Sequence, residues 1–414
     1  MEPLEHREAS AGLMELLEEL AVYGADPEGG VTRLLYSQPW GEAQRYLAGK
    51  MRQAGLSARF DRAGNLFGRL EGAEREAGVI LTGSHVDTVV RGGKYDGAYG
   101  IAAGIAALAY LSRTFGVPKR SLEVVSFCEE EGSRFPVTYW GSGHAAGKLD
   151  WALADAVSDP DGVTLRQAME AAGFGASEQP DCRRTNLAAY VELHIEQGIV
   201  LERSGEPIGI VETIVGQRRY AISLSGESNH AGTTPMGLRK DALAGAAAMI
   251  AALEAMALEY GDPLVATVGR LDAEPNTPNV VAGRVRFTLD IRLDREDELA
   301  RFCEEALARL ASIAAKRGLA FEAANWLATA PAPMDARLVA LLERASVAAG
   351  LKPRRMVSGA GHDAQLMAGI CPSAMLFVPS RGGISHSPDE YTAPAQLEDG
   401  VRVLAAALYE LAYR

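Results

Sequence analysis

The stretch GVILTGSHVDTVVRGGKYDG, residues 78–97, decides the fold class. Residues 78–83 are a short apolar run of the kind that makes a buried strand, and the pattern then gives way to His85, Asp87 and a glycine-rich loop. In an open α/β sheet, side chains at the carboxyl end of a strand face the crevice where ligands bind. Moving outward, residues 99–115 carry the Ala, Gly and Leu spacing of a helix, and residues 122–127 and 188–193 are further short apolar runs. Strand and helix alternating in this way predict a layered α/β domain.

From about residue 216 the pattern changes. Residues 220–225 alternate as a strand, 241–260 are Ala-rich and helical, and 264–271 and 283–292 read as strands. In the last, Val285, Phe287, Leu289 and Ile291 face one way, and Arg284, Arg286, Thr288, Asp290 and Arg292 the other. A helix over residues 295–317 and a strand from residue 320 complete a βαββαβ order, the ferredoxin-like unit. Pro331 and Pro333 mark the return, after which helix and strand alternate again. The expected organisation is therefore a domain made of residues 1–214 and 330–414, interrupted by an inserted domain, 215–329.

A chain of 414 residues is long enough for two or three domains with cores of their own. With 48% hydrophobic and 23% charged residues it has the balance of a soluble globular protein. Its net charge of −13 repels phosphate backbones and anionic lipid, so no nucleic-acid and no membrane partner is expected. Residues 1–10 lack the basic start and apolar stretch of a secretory signal, and the longest apolar runs, 98–111 and 242–253, are short for a bilayer. A cytoplasmic location is expected. Cys128, Cys182, Cys303 and Cys371 form no CxxC pair and read as reduced, buried thiols.

Five segments place polar side chains at strand ends or in glycine-bearing loops. His85 follows the first strand and stands where it can coordinate a metal, and Asp87 can fix its imidazole from behind. Asp96, in GGKYDG, can offer its two oxygens to two different ions. The run Glu129-Glu130-Glu131 after a buried strand is self-repelling unless a cation neutralises it. His194, in ELHIEQG, lacks the second histidine of a helical HExxH site, which leaves one histidine at a strand end. His386, in GISHSP, again follows an apolar strand, 374–378. Imidazole and carboxylate without thiolate suit Zn, Mn or Co. The glycines of residues 97–104 lack the GxGxxG spacing and read as close helix packing rather than as a nucleotide loop.

Taken in order, GSHVDTVVRGGKYDG, EEEGSRFP, ELHIEQG, GESNHAGTTPMGLRKDA, SGAGHDAQ and GISHSP resemble the allantoate amidohydrolase and N-carbamoyl-L-amino acid hydrolase group of the aminoacylase and carboxypeptidase-G type metallohydrolases. The resemblance runs from about residue 80 to the C-terminus. It implies a metallopeptidase-like α/β catalytic domain with a mixed sheet and an inserted lid and dimerisation domain. It also implies two divalent ions bridged by Asp96, one completed by His85 and His194 and the other by Glu131 and His386. Glu130 would be the general base, with Asp87 also in the catalytic set. His230 would reach the active site of a partner subunit in a homodimer. Gln217, Asn279, Arg292, Gly361 and His362 would bind the carboxylate and ureido ends of a small ureido acid. The strings IVGQRRY, GDPLV, PNTPNVV and SGAGHDAQ point within this group to allantoate, the alternative being an N-carbamoyl-L-amino acid.

Plainer readings stand beside these. Glu130 could be a surface carboxylate next to two others, Arg292 a salt-bridged strand terminus, and His230 a partner for the turn at Asn229 and Thr233. A peptidase, an acylase, or a non-catalytic binding protein on the same scaffold are the remaining rivals. Every expected ligand and the base are present, which disfavours the last.

Overall fold

The computed structural model describes residue 10 and residues 12–414; the expectation for the first ten residues lies almost wholly outside them. The described chain forms two compact units. One takes the described residues through Glu212 with Pro333–Met356 and Gly361–Arg414, and the other takes Thr213–Ala332 with Val357–Ala360.

The first unit is built on a nine-stranded mixed sheet. At its centre Ser121–Phe127, Val79–His85, Leu187–Ile195 and Ser373–Val378 run parallel. Antiparallel strands flank them, Leu66–Leu70 on one side and Ile208–Ile214 on the other. Val79–His85, Ser121–Phe127 and Ser373–Val378 are buried along their whole length, as continuous apolar runs in a parallel sheet should be. Helix Ala98–Phe115 packs closely on the sheet at Gly100 and Gly104, where a Cβ would stand 2.5 Å from the Leu193 carbonyl oxygen and 2.6 Å from Val124 Cγ2. Because the four central strands are parallel, their carboxyl ends open at one edge, and His85, the run 128–131, His194 and the loop to His386 all follow from that edge.

The second unit is the expected βαββαβ unit. Strand Arg284–Leu293 lies antiparallel to Gly216–Ser225, which is antiparallel to Ala320–Thr329. Helices Ala242–Tyr260 and Glu296–Lys316 complete it. Asp241 caps the first by accepting from the amides of Leu243 and Ala244. Glu296, Asp297 and Glu298 complement the positive end of the second. Val285, Phe287, Leu289 and Ile291 are buried as the alternation requires, in a core with Met249, Leu253 and Phe302. Truncating such a side chain, as in Leu289→Ala, costs about 2–5 kcal/mol.

Three expectations are corrected. The strand read over 264–271 is two short strands, Val265–Thr267 and Leu271–Glu274, both paired with Arg284–Leu293; Gly269 lies in the break between them. Residues 357–360 fall with the second unit, and the hydrogen bond from the Val215 amide to the Ser358 carbonyl at 3.0 Å is one tie that places them there. The length argument against a membrane span does not hold for Ala242–Tyr260. Its 19 residues are long and apolar enough to cross a bilayer by length and composition, although Ala242, Ala246, Met249 and Leu253 are buried in the unit's own core.

Candidate metal centre

Two of the prospective ligands are placed by the end of a strand. His85 is the last residue of Val79–His85, beside Phe127, and His194 is the penultimate residue of Leu187–Ile195, beside Phe377. Asp96 comes between them on a tight loop. Gly97 makes this approach possible: its φ is +62°, and a Cβ there would stand 2.5 Å from Cε1 of His85.

The Asp96 carboxylate is shared in space. Its Oδ1 lies 3.5 Å from His85 Nε2 and 3.1 Å from His194 Nε2, and its Oδ2 lies 3.3 Å from His386 Nε2. That same His386 nitrogen is 3.3 Å from Glu131 Oε1. Two groups result, His85 with Asp96 and His194, and Asp96 with Glu131 and His386, each with donor atoms within 4.8 Å of one another. His85, Asp96 and His194 are buried, whereas His386 keeps about half of its side chain exposed.

Further contacts orient these donors. The Nδ1 of His194 faces the Ile195 carbonyl at 2.9 Å, which directs Nε2 toward Asp96; the Gly97 amide donates to that Nε2 at 3.0 Å, a lone pair that a cation would take over. His85 Nδ1 lies 3.1 Å from the Asp87 carbonyl and 3.4 Å from Asp87 Oδ1. The other oxygen of Asp87 accepts the amides of Glu130 and Glu131 at 3.0 and 3.1 Å. Asp87 therefore ties the two together, holding the His85 imidazole at its backbone carbonyl and the backbone of the acidic run at its carboxylate.

The electrostatics favour positive charge. Burial alone would raise Asp96, but His194, His386 and His85 hold it well below the usual carboxylate range. Hydrogen bonds to Asp96 and Glu131 push His386 up to about 10. Glu130, buried and near Glu131, Asp363 and Asp87, is held well above the usual range, chiefly by burial. A mixed imidazole and carboxylate set, crowded with acids and without a thiolate, fits divalent cations of the Zn, Mn or Co kind.

His362, also in this unit, is buried with its ring 4.7 Å from that of His194, and Gly361 before it lies against the Tyr139 hydroxyl. The remaining expected residues belong to the second unit and form two groups there. His230, on the short strand Asn229–His230, pairs with Val280 beside Asn279. Its Nδ1 accepts the Gly232 amide at 3.0 Å, so the neutral ring carries its proton on the exposed Nε2. Gln217 and Arg292 face each other across paired strands, and both meet Asp290. Gln217 donates to both oxygens of Asp290 at 3.0 and 2.8 Å, and Arg292 does so at 3.1 Å through Nε and through one terminal nitrogen. The salt-bridged reading of Arg292 thus describes its resting contacts. A third N–H goes to the Gly359 carbonyl, leaving two of the guanidinium's five donors.

Asp290 was recognised in the sequence only as part of a polar strand face, and its role as a hub was missed. So was Gln197, which follows His194 by three residues and donates to Asp96 Oδ2 at 2.7 Å. Its place inside the HIEQG string was the available signal.

Comparison with known proteins agrees with this geometry. The family model described as peptidase family M20/M25/M40 matches residues 81–410. The chain is 49% identical over 401 residues to an allantoate amidohydrolase of Bacillus subtilis, covering 97% of each chain. It is 39% identical over 403 residues to an N-carbamoyl-L-amino acid amidohydrolase of Geobacillus stearothermophilus, covering 97% of this chain and 98% of the other. A hydantoinase/carbamoylase family amidase of Burkholderia multivorans superposes with a TM-score of 0.93 at 35% identity, covering 97% of each chain. With the ligand-capable strand ends and the full-length relatives agreeing, the chain belongs to peptidase family M20/M25/M40 and is a hydrolase of amide bonds.

Proposed function

We propose that this hydrolase holds two divalent cations and cleaves the terminal carbamoyl amide of a ureido acid, with allantoate as the substrate. The observation that carries the reading is Asp96, whose two oxygens face two separate donor groups. His85 and His194 would hold one cation with Asp96, and Glu131 and His386 the other. When bound, the cations would polarise the ureido carbonyl and acidify a water molecule. Glu130 accepts the proton of the attacking water and passes it to the departing nitrogen, so ammonia leaves and a carbamate remains, which breaks down to an amine and carbon dioxide. Asp87 keeps His85 and the Glu130 backbone in register for this transfer.

Gln217, Asn279 and Arg292, with Gly361 and His362, are assigned to the carboxylate and ureido ends of the substrate. His230 donates its Nε2 proton to the oxyanion from the partner subunit of a homodimer. The apolar outer face of helix Ala242–Tyr260, where Leu243 and Leu258 are exposed, supports a subunit contact through the second unit, which would also serve as a lid. A cytoplasmic location accords with the free, buried cysteines.

Allantoate is favoured over an N-carbamoyl-L-amino acid by the higher identity to the allantoate amidohydrolase, 49% against 39%. An aliphatic side chain would set carbon against the polar groups assigned to the second ureido arm, Asn279 among them, and sites built on hydrogen bonds reject such mimics strongly. The test is competition in one reaction with manganese. Allantoate should be consumed well ahead of N-carbamoyl-L-leucine and N-carbamoyl-L-methionine, and preference for either aliphatic substrate would overturn the allantoate assignment.

A further inference from the structure

A buried carboxylate outside both donor groups joins the two loops that carry Asp96 and His386. Glu390 is 5% exposed. Its Oε1 accepts the backbone amides of Tyr95 and Asp96, both at 3.1 Å. Its Oε2 lies 2.9 Å from the hydroxyl of Ser385, the residue before His386. That hydroxyl is also 3.2 Å from Asp96 Oδ2, so its single proton can go to either carboxylate, and the Gln197 amide donates to its oxygen at 3.2 Å.

The loop carrying Asp96 is shaped to receive this side chain. A Cβ on Gly93 would stand 2.0 Å from Glu390 Oε1 and 2.1 Å from its carboxyl carbon, so only glycine lets the carboxylate reach the two amides. On the other loop, His386 has a φ of +54°, in the left-handed region that a residue with a Cβ rarely occupies. A backbone held there needs outside contacts to over-determine it, and the Ser385 hydroxyl bond to Glu390 is one such contact.

We infer that Glu390 is a positioning residue of the metal centre: it fixes the Asp96 backbone and, through Ser385, sets His386 at the distance that lets both share a cation. This rests on the two-cation reading. Its consequence differs from that of losing a ligand, because no donor atom is removed. Removing Glu390 frees the two loops relative to each other, and the cation between Asp96, Glu131 and His386 suffers more than the one between His85 and His194, whose rings are set by strands.

The test is manganese binding by the full chain, followed by titration calorimetry of protein first stripped of metal. Wild type should take up two ions. Glu390→Ala should bind the weaker ion about tenfold to a hundredfold less tightly, the scale for losing a contact that orients a ligand. Glu390→Gln should stay close to wild type, since its amide oxygen still accepts both N–H groups and its NH2 can donate to Ser385. Two ions bound by Glu390→Ala with wild-type affinity would overturn the inference. Should that variant fail to fold, Ser385→Ala decides, because it keeps the backbone bonds of Glu390 and removes the hydroxyl through which the His386 loop meets Glu390, Asp96 and Gln197. A weakened second ion supports the inference and unchanged affinity overturns it. A wild-type chain that binds no pair of ions would instead overturn the two-cation reading itself.

Discussion

The histidines near Asp96 and the histidine at position 230 are held in opposite ways. His85 and His194 are buried at the ends of parallel strands, with an Nδ1 turned toward a backbone carbonyl and an Nε2 toward one carboxylate oxygen. His230 sits on an exposed two-residue strand and is held by its own turn, with its Nε2 proton directed outward. In the first region the fold itself supplies the opposing charge. In the second no carboxylate among the described residues is brought to the ring, whose Nδ1 accepts from its own turn. Burial among carboxylates suits a group that must hold a cation, whereas an exposed donor suits one that meets substrate only as the site assembles.

The largest expected effect tests the first region. Glu130→Gln should keep both cations and lower kcat by about a hundredfold to ten-thousandfold, the range for losing a general base. A variant that lost its metals but kept activity in the residual loaded fraction would exchange the roles of Glu130 and Glu131. The same variant probes the second region: mixed with His230→Ala chains and allowed to exchange subunits, it should regain part of the activity, because each hybrid has one site with both residues intact. Demonstrated heterodimers without recovery would confine His230 to its own turn.

A smaller effect is expected at Arg292. Lysine cannot reproduce the guanidinium fork on Asp290 while offering further donors to a carboxylate. Arg292→Lys should lower kcat/KM by about tenfold to a hundredfold, the loss of a charge-assisted hydrogen bond. Equal activity with either residue would leave Arg292 as a structural strand partner of Asp290.

The smallest effect is on stability and concerns a histidine of the first unit that is buried without a carboxylate clasp. His144 stacks on Trp151 at 3.9 Å, and burial, aided by Arg62, pulls its pKa down to about 4. A histidine whose folded pKa lies below its unfolded value favours the native state when neutral. Its contribution is present above about pH 6.5 and is lost as the pH falls toward 4, on the order of 2–3 kcal/mol in all. Thermal melts of metal-loaded protein should therefore show a fall in Tm over this window that is reduced in His144→Gln. An unchanged slope would assign the acid sensitivity elsewhere.

Much of this was legible in the sequence because each candidate ligand interrupts an apolar pattern. His85, His194 and His386 stand out at or after buried runs, and the alternation at Val285, Phe287, Leu289 and Ile291 by itself assigns the buried face of its strand. What could not be read depends on register and on contacts between distant residues. Asp290 meets Gln217, 73 positions away, only because Arg292 and Gln217 are paired across two strands. Glu390 meets Asp96 across 294 positions, and nothing local distinguishes it from a surface acid. The break at Gly269 was hidden by two flanking apolar runs that both satisfy a strand pattern, and the assignment of residues 357–360 rests on a pairing the local sequence does not encode.

On the proposed two-cation reading, one carboxylate, Asp96, serves both ions. Electron paramagnetic resonance of the stripped chain during manganese titration tests it most directly, since two ions on one carboxylate lie roughly 3.5–4 Å apart and couple magnetically. The expected result is saturation at two ions per chain with an exchange-coupled spectrum that disappears in Asp96→Ala. Saturation at one ion, or two ions giving the signal of isolated manganese, would contradict it.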